Sequence, residues 1–339
     1  MRRISTSSRA AENLRVSPLV GTRPPAATAT RRRSTLIRLA TSALIVGLIA
    51  AFVAGVATNH LPLPAPGPSR GGSIVNALLQ NNTILIPELS SYHYDTVTDA
   101  AIWAPLWYGD PSGALHPALA SKVPSLVNGG ISSDLKSWTI HLKPSLKWSD
   151  GSALTVADVV FSLNTFADPR FDIGAFPQND PGDPIDFLGA HMVDSTTLSF
   201  SLAHPYVLMN AILADGYHAP IPREVFGRIA PGDIAKSHEA FFPTVTSGPF
   251  KVSEHIQGDH LTVVRNPYYY QGPDKPYLDQ ITFKPALNGE AGLKAAQAGR
   301  LDAAFGASFG GDPQLVTDYR ALPGYTTYFD SHPAGYEEA

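Results

Sequence analysis

The sequence predicts a mixed α/β fold of the α+β kind, on three observations. From Ser137 to Leu163 a strand, a turn and a capped helix follow one another directly. Further strand patterns, at Thr197–Leu202 and in both arms of Phe250–Arg265, mix with helical stretches without the regular strand–helix alternation of a doubly wound sheet. Finally, 30 prolines and 28 glycines in 339 residues call for many turns and extended connections, which argues against a helical bundle.

The elements follow in order. Gly71-Gly72 precedes a first strand, Ser73–Leu79. Asp95–Tyr108 reads as a helix that Pro105 should end or kink. In Trp138–Lys147, Trp138, Ile140 and Leu142 alternate with Thr139, His141 and Lys143, giving a strand with one apolar face. Asp150-Gly151 turns the chain. Thr155 and Asp158 form a capping box, and Val156, Val159, Val160 and Leu163 continue at helical spacing through Phe166. Asp168–Asp186, with four prolines and five aspartates, is a long loop. Thr197–Leu202 is a strand and Tyr206–Leu213 helical. Phe250–Arg265 is a hairpin about Gly258-Asp259. Ile281–Lys284 is a strand, Glu290–Ala298 a helix ended by Gly299, and Leu301–Phe305 a last strand.

Charge divides the chain. Residues 1–38 hold nine arginines and one acid, net +8; the whole is −4, so residues 39–339 carry −12. This basic arm has no apolar periodicity and no interleaved aromatics to stack bases, so nucleic acid is not an expected partner. Leu39–Ala57 has no charged residue, which suits a bilayer-crossing helix of roughly 20 residues. Arg31, Arg32, Arg33 and Arg38 before it place the N-terminus in the cytoplasm and export the rest. The run exceeds a usual signal core, which favours an anchor; a cleaved signal, with Gly55-Val56-Ala57 as cleavage site, remains the alternative. Residues 58–72, with prolines at 62, 64, 66 and 68, form a stiff spacer. The chain has no cysteine, hence no disulfide, no thiol nucleophile and no lipidated cysteine.

Catalytic signals are sparse. Gly306-Ala-Ser-Phe-Gly310 fits the nucleophile elbow of a serine hydrolase and follows a strand, making Ser308 the alternative functional residue. Gly311-Asp312-Pro313 suits the start of a helix poorly, and only a short tail remains to supply an acid and a histidine. The aspartate-rich loop lacks the spacing of a calcium loop, and the eleven histidines lack metal-ligand spacing. No phosphate-loop sequence occurs. Neither a cofactor nor a metal is expected, and the chain reads as a non-enzyme.

The segment Ser137–Leu163 resembles the signature of the family 5 extracellular solute-binding proteins, the peptide-binding proteins of ABC importers. Four further stretches resemble that family in its order: Thr246-Ser-Gly-Pro-Phe250, Arg265-Asn-Pro-Tyr-Tyr-Tyr270, Leu278-Asp-Gln-Ile-Thr-Phe-Lys284 and Ala295-Ala-Gln-Ala-Gly-Arg-Leu-Asp302. The resemblance implies a two-lobed binding protein that delivers a peptide or similar solute to a permease whose ATPase is a separate chain. It implies that residues 73–302 make the first lobe and 303–339 the start of an incomplete second, with Phe305, Phe309, Leu315 and Tyr319 left exposed. It also implies that Gln80, Asn81 and Asn82 pair with a peptide backbone and that Ser247, Gly248 and Phe250 lie by the cleft. Trp103, Trp107 and Tyr108 read either as pocket walls or, at helical spacing, as core. Ser247-Gly248-Pro249 has its glycine so that backbone can pass close to another element.

Overall fold

The computed structural model describes residues 69–78, 84–89, 95–171, 185–214, 218–284, 289–305 and 313–326. All belong to one compact unit, Pro68–Ala339. The basic arm, Leu39–Ala57, Gln80–Asn82 and Gly306–Gly310 with Ser308 lie outside the described residues, among which no helix is long and apolar enough to cross a membrane.

Three sheets organise the described residues. The largest has five strands: β1 (Ser73–Leu78), β7 (Phe250–Ile256), β8 (His260–Arg265), β9 (Gln280–Lys284) and β10 (Ala303–Phe305), ordered β10-β1-β9-β8-β7. β1 runs parallel to both β9 and β10, whereas β8 pairs antiparallel with β7 and β9. A second sheet orders β4 (Ser137–His141), β6 (Thr197–Leu202) and β5 (Phe187–Met192) antiparallel, with β6 central. β2 (Trp107–Gly109) and β3 (Leu115–Pro117) form a small hairpin. This is the mixed α/β architecture expected.

The local predictions hold where local chemistry decides. β4 alternates as written: Trp138 and Ile140 are buried, Thr139 and His141 half-buried. Trp138 stacks on Phe200 of β6 at 5.3 Å with parallel rings. Helix α2 (Val156–Phe166) starts at its capping box, where the Asp158 carboxylate accepts from the Thr155 amide and hydroxyl, both at 2.8 Å. Its other oxygen accepts from the Arg223 amide at 3.1 Å, so the cap also fixes the neighbouring segment. The helix buries Val159, Leu163 and Phe166. Asn164 on its outer side brackets Ala190 of the edge strand β5, accepting from its N–H at 2.8 Å and donating to its carbonyl at 3.0 Å. A side-chain amide thus occupies backbone groups that an open edge would offer to another strand.

Four expectations are corrected. The helix after β1, α1 (Asp95–Ile102), stops well short of Tyr108, because the Ile102 carbonyl is taken by the Gly248 amide at 2.8 Å and Pro105 has no amide to continue the ladder. β4 ends at His141 rather than Lys147; Pro144 interrupts it and Ser145 takes a positive φ of 58°. The helix expected over Tyr206–Leu213 shrinks to α3 (Met209–Ile212); its expected first residue, Tyr206, is held outside it with its amide on the Leu135 carbonyl at 3.2 Å. Lastly, Leu315 and Tyr319 are not exposed. They lie on α5 (Pro313–Arg320), 8% and 7% exposed, against Leu293 and Ala296 of α4 (Gly289–Gln297). The Tyr319 hydroxyl donates to the Gly289 carbonyl at 2.8 Å, and burial raises the pKa of its phenol.

The β7–β8 hairpin carries a titrating device. His260 lies between two carboxylates, Nε2 at 3.0 Å from Glu254 and Nδ1 at 2.6 Å from Asp259, and both raise its pKa above the ordinary 6.5. In turn His260 holds the Asp259 carboxyl below its ordinary 3.8. A raised folded-state pKa contributes stability that is present below pH 6.5 and lost as pH rises through the folded value; the depressed Asp259 contributes above pH 3.8 and loses it as pH falls. The stability gap between wild type and His260→Gln is therefore expected to be widest between those two values and to narrow as pH rises above 6.5 through the folded value, read by urea unfolding across pH; a gap that does not vary with pH refutes the arrangement.

Candidate functional site

The segment Thr246–Phe250 is where the distant parts of the chain meet. Gly248 sits so tightly against the end of α1 that a Cβ there would come within 2.4 Å of the Ile102 carbonyl carbon and 2.6 Å of the Trp103 nitrogen. Its amide and that of Ser247 both reach the Ile102 carbonyl, at 2.8 and 3.2 Å. The Ser247 hydroxyl accepts from the Ala104 amide at 3.0 Å. Thr246 exchanges two bonds with Ser149 in the turn before α2, its carbonyl accepting from the Ser149 amide at 2.8 Å and its amide donating to the Ser149 hydroxyl at 3.0 Å. Fully buried Asn266, just after β8, donates from Nδ2 to the Gly248 carbonyl at 2.8 Å and from its amide to the Pro249 carbonyl at 2.9 Å. Its Oδ1 receives the Tyr268 amide at 2.9 Å, which turns the chain out of the hairpin. Glycine is required here by a close approach, as the sequence implies.

This arrangement occupies four of the sequence-predicted contact residues. Trp103 is 1% exposed, with its indole N–H on the Leu85 carbonyl at 2.9 Å; Ser247 is 2% and Phe250 5% exposed, and Gly248 is buried under α1. Trp107 is likewise core. Of the aromatic set, Tyr108 alone presents a face, at 41% exposure, stacked on His116 with ring centres 5.4 Å apart. Gln80, Asn81 and Asn82 lie outside the described residues, but the parallel register fixes where the chain leaves the sheet. Leu78 pairs with Phe305 and Ala77 with Lys284, so β1, β9 and β10 end at one edge. Carboxyl ends of parallel strands are where open α/β sheets hold ligands.

Around Tyr108 the structure gathers residues that no local pattern connects. Lys143 ties the β2–β3 hairpin to the segment after β8, its ammonium donating to the Pro117 carbonyl at 3.3 Å, and in that segment the Tyr269 phenol pKa is pushed far up, by burial first. Tyr269 and Tyr270 meet edge to face at 4.7 Å, and the Lys143 ammonium lies 4.8 Å from the Tyr270 ring centre. Burial lowers the Lys143 pKa. His116 pairs with Asp110 at 2.8 Å, which, with Ser112, holds the Asp110 carboxyl well below the usual range. Chemically this is an aromatic ridge beside a cation, suited to stacking and contact with apolar side chains. In the sequence Tyr268-Tyr269-Tyr270 stands out only as part of a stretch that resembles the family, since its partner Lys143 lies far away in the chain.

The fold is that of the periplasmic binding proteins. It superimposes on an ABC transporter substrate-binding protein, CtaP of Listeria monocytogenes, with a TM-score of 0.57 and 30% identity, over 69% of this chain and 44% of that one. Bacillus subtilis AppA, solved with a nonapeptide, shares the fold at TM-score 0.58 and 23% identity over 69% and 44%. In sequence, the periplasmic oligopeptide-binding protein OppA of Escherichia coli is 25% identical over 284 residues, which is 77% of this chain and 48% of OppA. Residues 114–332 match the middle part of the bacterial extracellular solute-binding proteins, family 5, and the chain belongs to that family. It spans about half the length of the curated relatives it matches.

Gly248→Ala should therefore destabilise the protein at the upper end of the ~1–3 kcal/mol typical of overpacking, because the colliding atoms are backbone. Urea unfolding measures it, and a neutral substitution would refute the close approach.

Proposed function

We propose that this chain is the binding part of an exported carrier that captures peptides or similar small solutes for an ABC permease. The family match over residues 114–332 carries the reading. Two further observations support it. The three parallel strands β1, β9 and β10 finish at one edge, the one from which Gln80–Asn82 continue. Tyr108 offers an aromatic face on the hairpin whose Pro117 carbonyl receives the Lys143 ammonium, which also lies 4.8 Å from the Tyr270 ring centre. Strand-like pairing at Gln80–Asn82 recognises the N–H and C=O groups common to all peptides, which gives sequence-tolerant affinity. Stacking on Tyr108 adds a preference for apolar or aromatic side chains. Leu39–Ala57 tethers the carrier to the membrane from the cytoplasmic side, the domain lying outside.

Titration calorimetry of the full chain against a pool of short peptides is expected to show binding. Tyr108→Ala should weaken it by up to roughly tenfold, the equivalent of one lost aromatic contact of about 0.5–1.5 kcal/mol. Trp103→Ala should instead cost about 3–5 kcal/mol of folding stability, as a buried tryptophan. No heat of binding with any pool, or covalent labelling by a fluorophosphonate that Ser308→Ala abolishes, would refute the carrier reading.

A further inference from the structure

Two surface turns far apart in sequence are tied together, and both end in bare aliphatic side chains. Leu126 and Val127 crown one turn, 57% and 99% exposed; Val207 and Leu208 crown the other, 72% and 56% exposed. Asn210 joins them, its Nδ2 donating to the Pro124 carbonyl at 2.8 Å, while the Tyr206 amide reaches the Leu135 carbonyl at 3.2 Å. Both are held rigidly. The Asn128 side chain accepts from the Ser125 amide at 2.9 Å and donates to the Val123 carbonyl at 2.9 Å. The Asn210 carbonyl and Oδ1 receive the indoles of Trp107 and Trp138 at 2.8 and 3.2 Å. The tips are thus preformed projections on two linked turns, each carrying two exposed aliphatic side chains that gain by leaving water.

Charge points to the cover. Residues 39–339 are strongly acidic overall, yet neither Ser121–Ile131 nor His204–Leu213 contains an acid, and Lys122 and Tyr206 flank the tips. The nearby Asp134 is engaged by the Ser132 hydroxyl at 2.5 Å and the Lys136 amide at 3.2 Å. A nearly fully exposed valine at a turn tip has no walls around it, so a rigid protein partner would need a separate socket for each tip. A bilayer interface needs none, and it accepts aliphatic tips flanked by tyrosine and lysine.

We propose that the joined tips Leu126-Val127 and Val207-Leu208 are a lipid-contacting surface, dipping into the interface of the membrane to which the chain is tethered. This rests on the tether reading given above. The carrier is then held in a defined orientation to the bilayer, instead of swinging freely on its linker.

The cysteine-free chain makes the test direct. Full-length protein carrying a single nitrobenzoxadiazole label at Val127→Cys is mixed with vesicles of anionic phospholipid. Flotation reads the tether, and label emission reads the tips. The expected result is flotation with a blue shift that brominated lipid quenches and that Leu126→Asp/Val207→Asp abolishes while flotation persists. Flotation with water-like emission overturns the lipid contact and leaves the tether standing. Failure to float overturns both. A blue shift without vesicles that grows with protein concentration assigns the tips to a second copy of the chain and overturns the proposal.

Discussion

The structure depends on one close approach. Gly248 lies against the backbone of Ile102 and Trp103 with no room for a side chain, and its neighbours make this contact a junction. Through Ser247 and Gly248 it ends α1; through Thr246 it holds the turn that precedes α2; through Asn266 it closes the exit of β8. Each of these backbone groups is buried and would be costly to leave unpaired. The junction satisfies them together, so the five-stranded sheet, the first helix and the capped helix take their relative positions from it.

The same economy explains why the apparent contact residues are buried. Once α1 stops at Ile102, the chain turns inward, and the indoles of Trp103 and Trp107 find carbonyl partners at Leu85 and Asn210. Buried tryptophans need such a partner, and having one makes them good core residues. The ring left facing outward is Tyr108, on the β2–β3 hairpin that Lys143 links to the Tyr270 ring after β8. Ligand-facing chemistry thus arises at the margin of the core rather than within it.

Asn210 plays for the second sheet the part that Asn266 plays for the first. One side-chain amide and its own carbonyl serve Trp107, Trp138 and Pro124, so a four-residue helix becomes the anchor for two exposed turns. The helix starts only at Met209, after Tyr206 has donated its amide to the Leu135 carbonyl.

By itself the sequence determined what short-range chemistry decides. Alternation over β4 and β6, the capping box at Thr155 and Asp158, the hairpin about Gly258-Asp259 and the glycine at 248 were all legible, because each is a constraint between residues close in the chain or a property of one residue. Four ordered motifs likewise identified the family. What tertiary structure decided is where those pieces stop and which side faces water. Ser247 and Ala104 are 143 residues apart, and their bond helps to fix the end of α1. Tyr319 reaches back 30 residues to Gly289, so the last described helix is packed where the sequence left it bare. Periodicity tells which face of an element is apolar but not what arrives to cover it, since burial is a property of pairs of surfaces and only folding brings the second surface in.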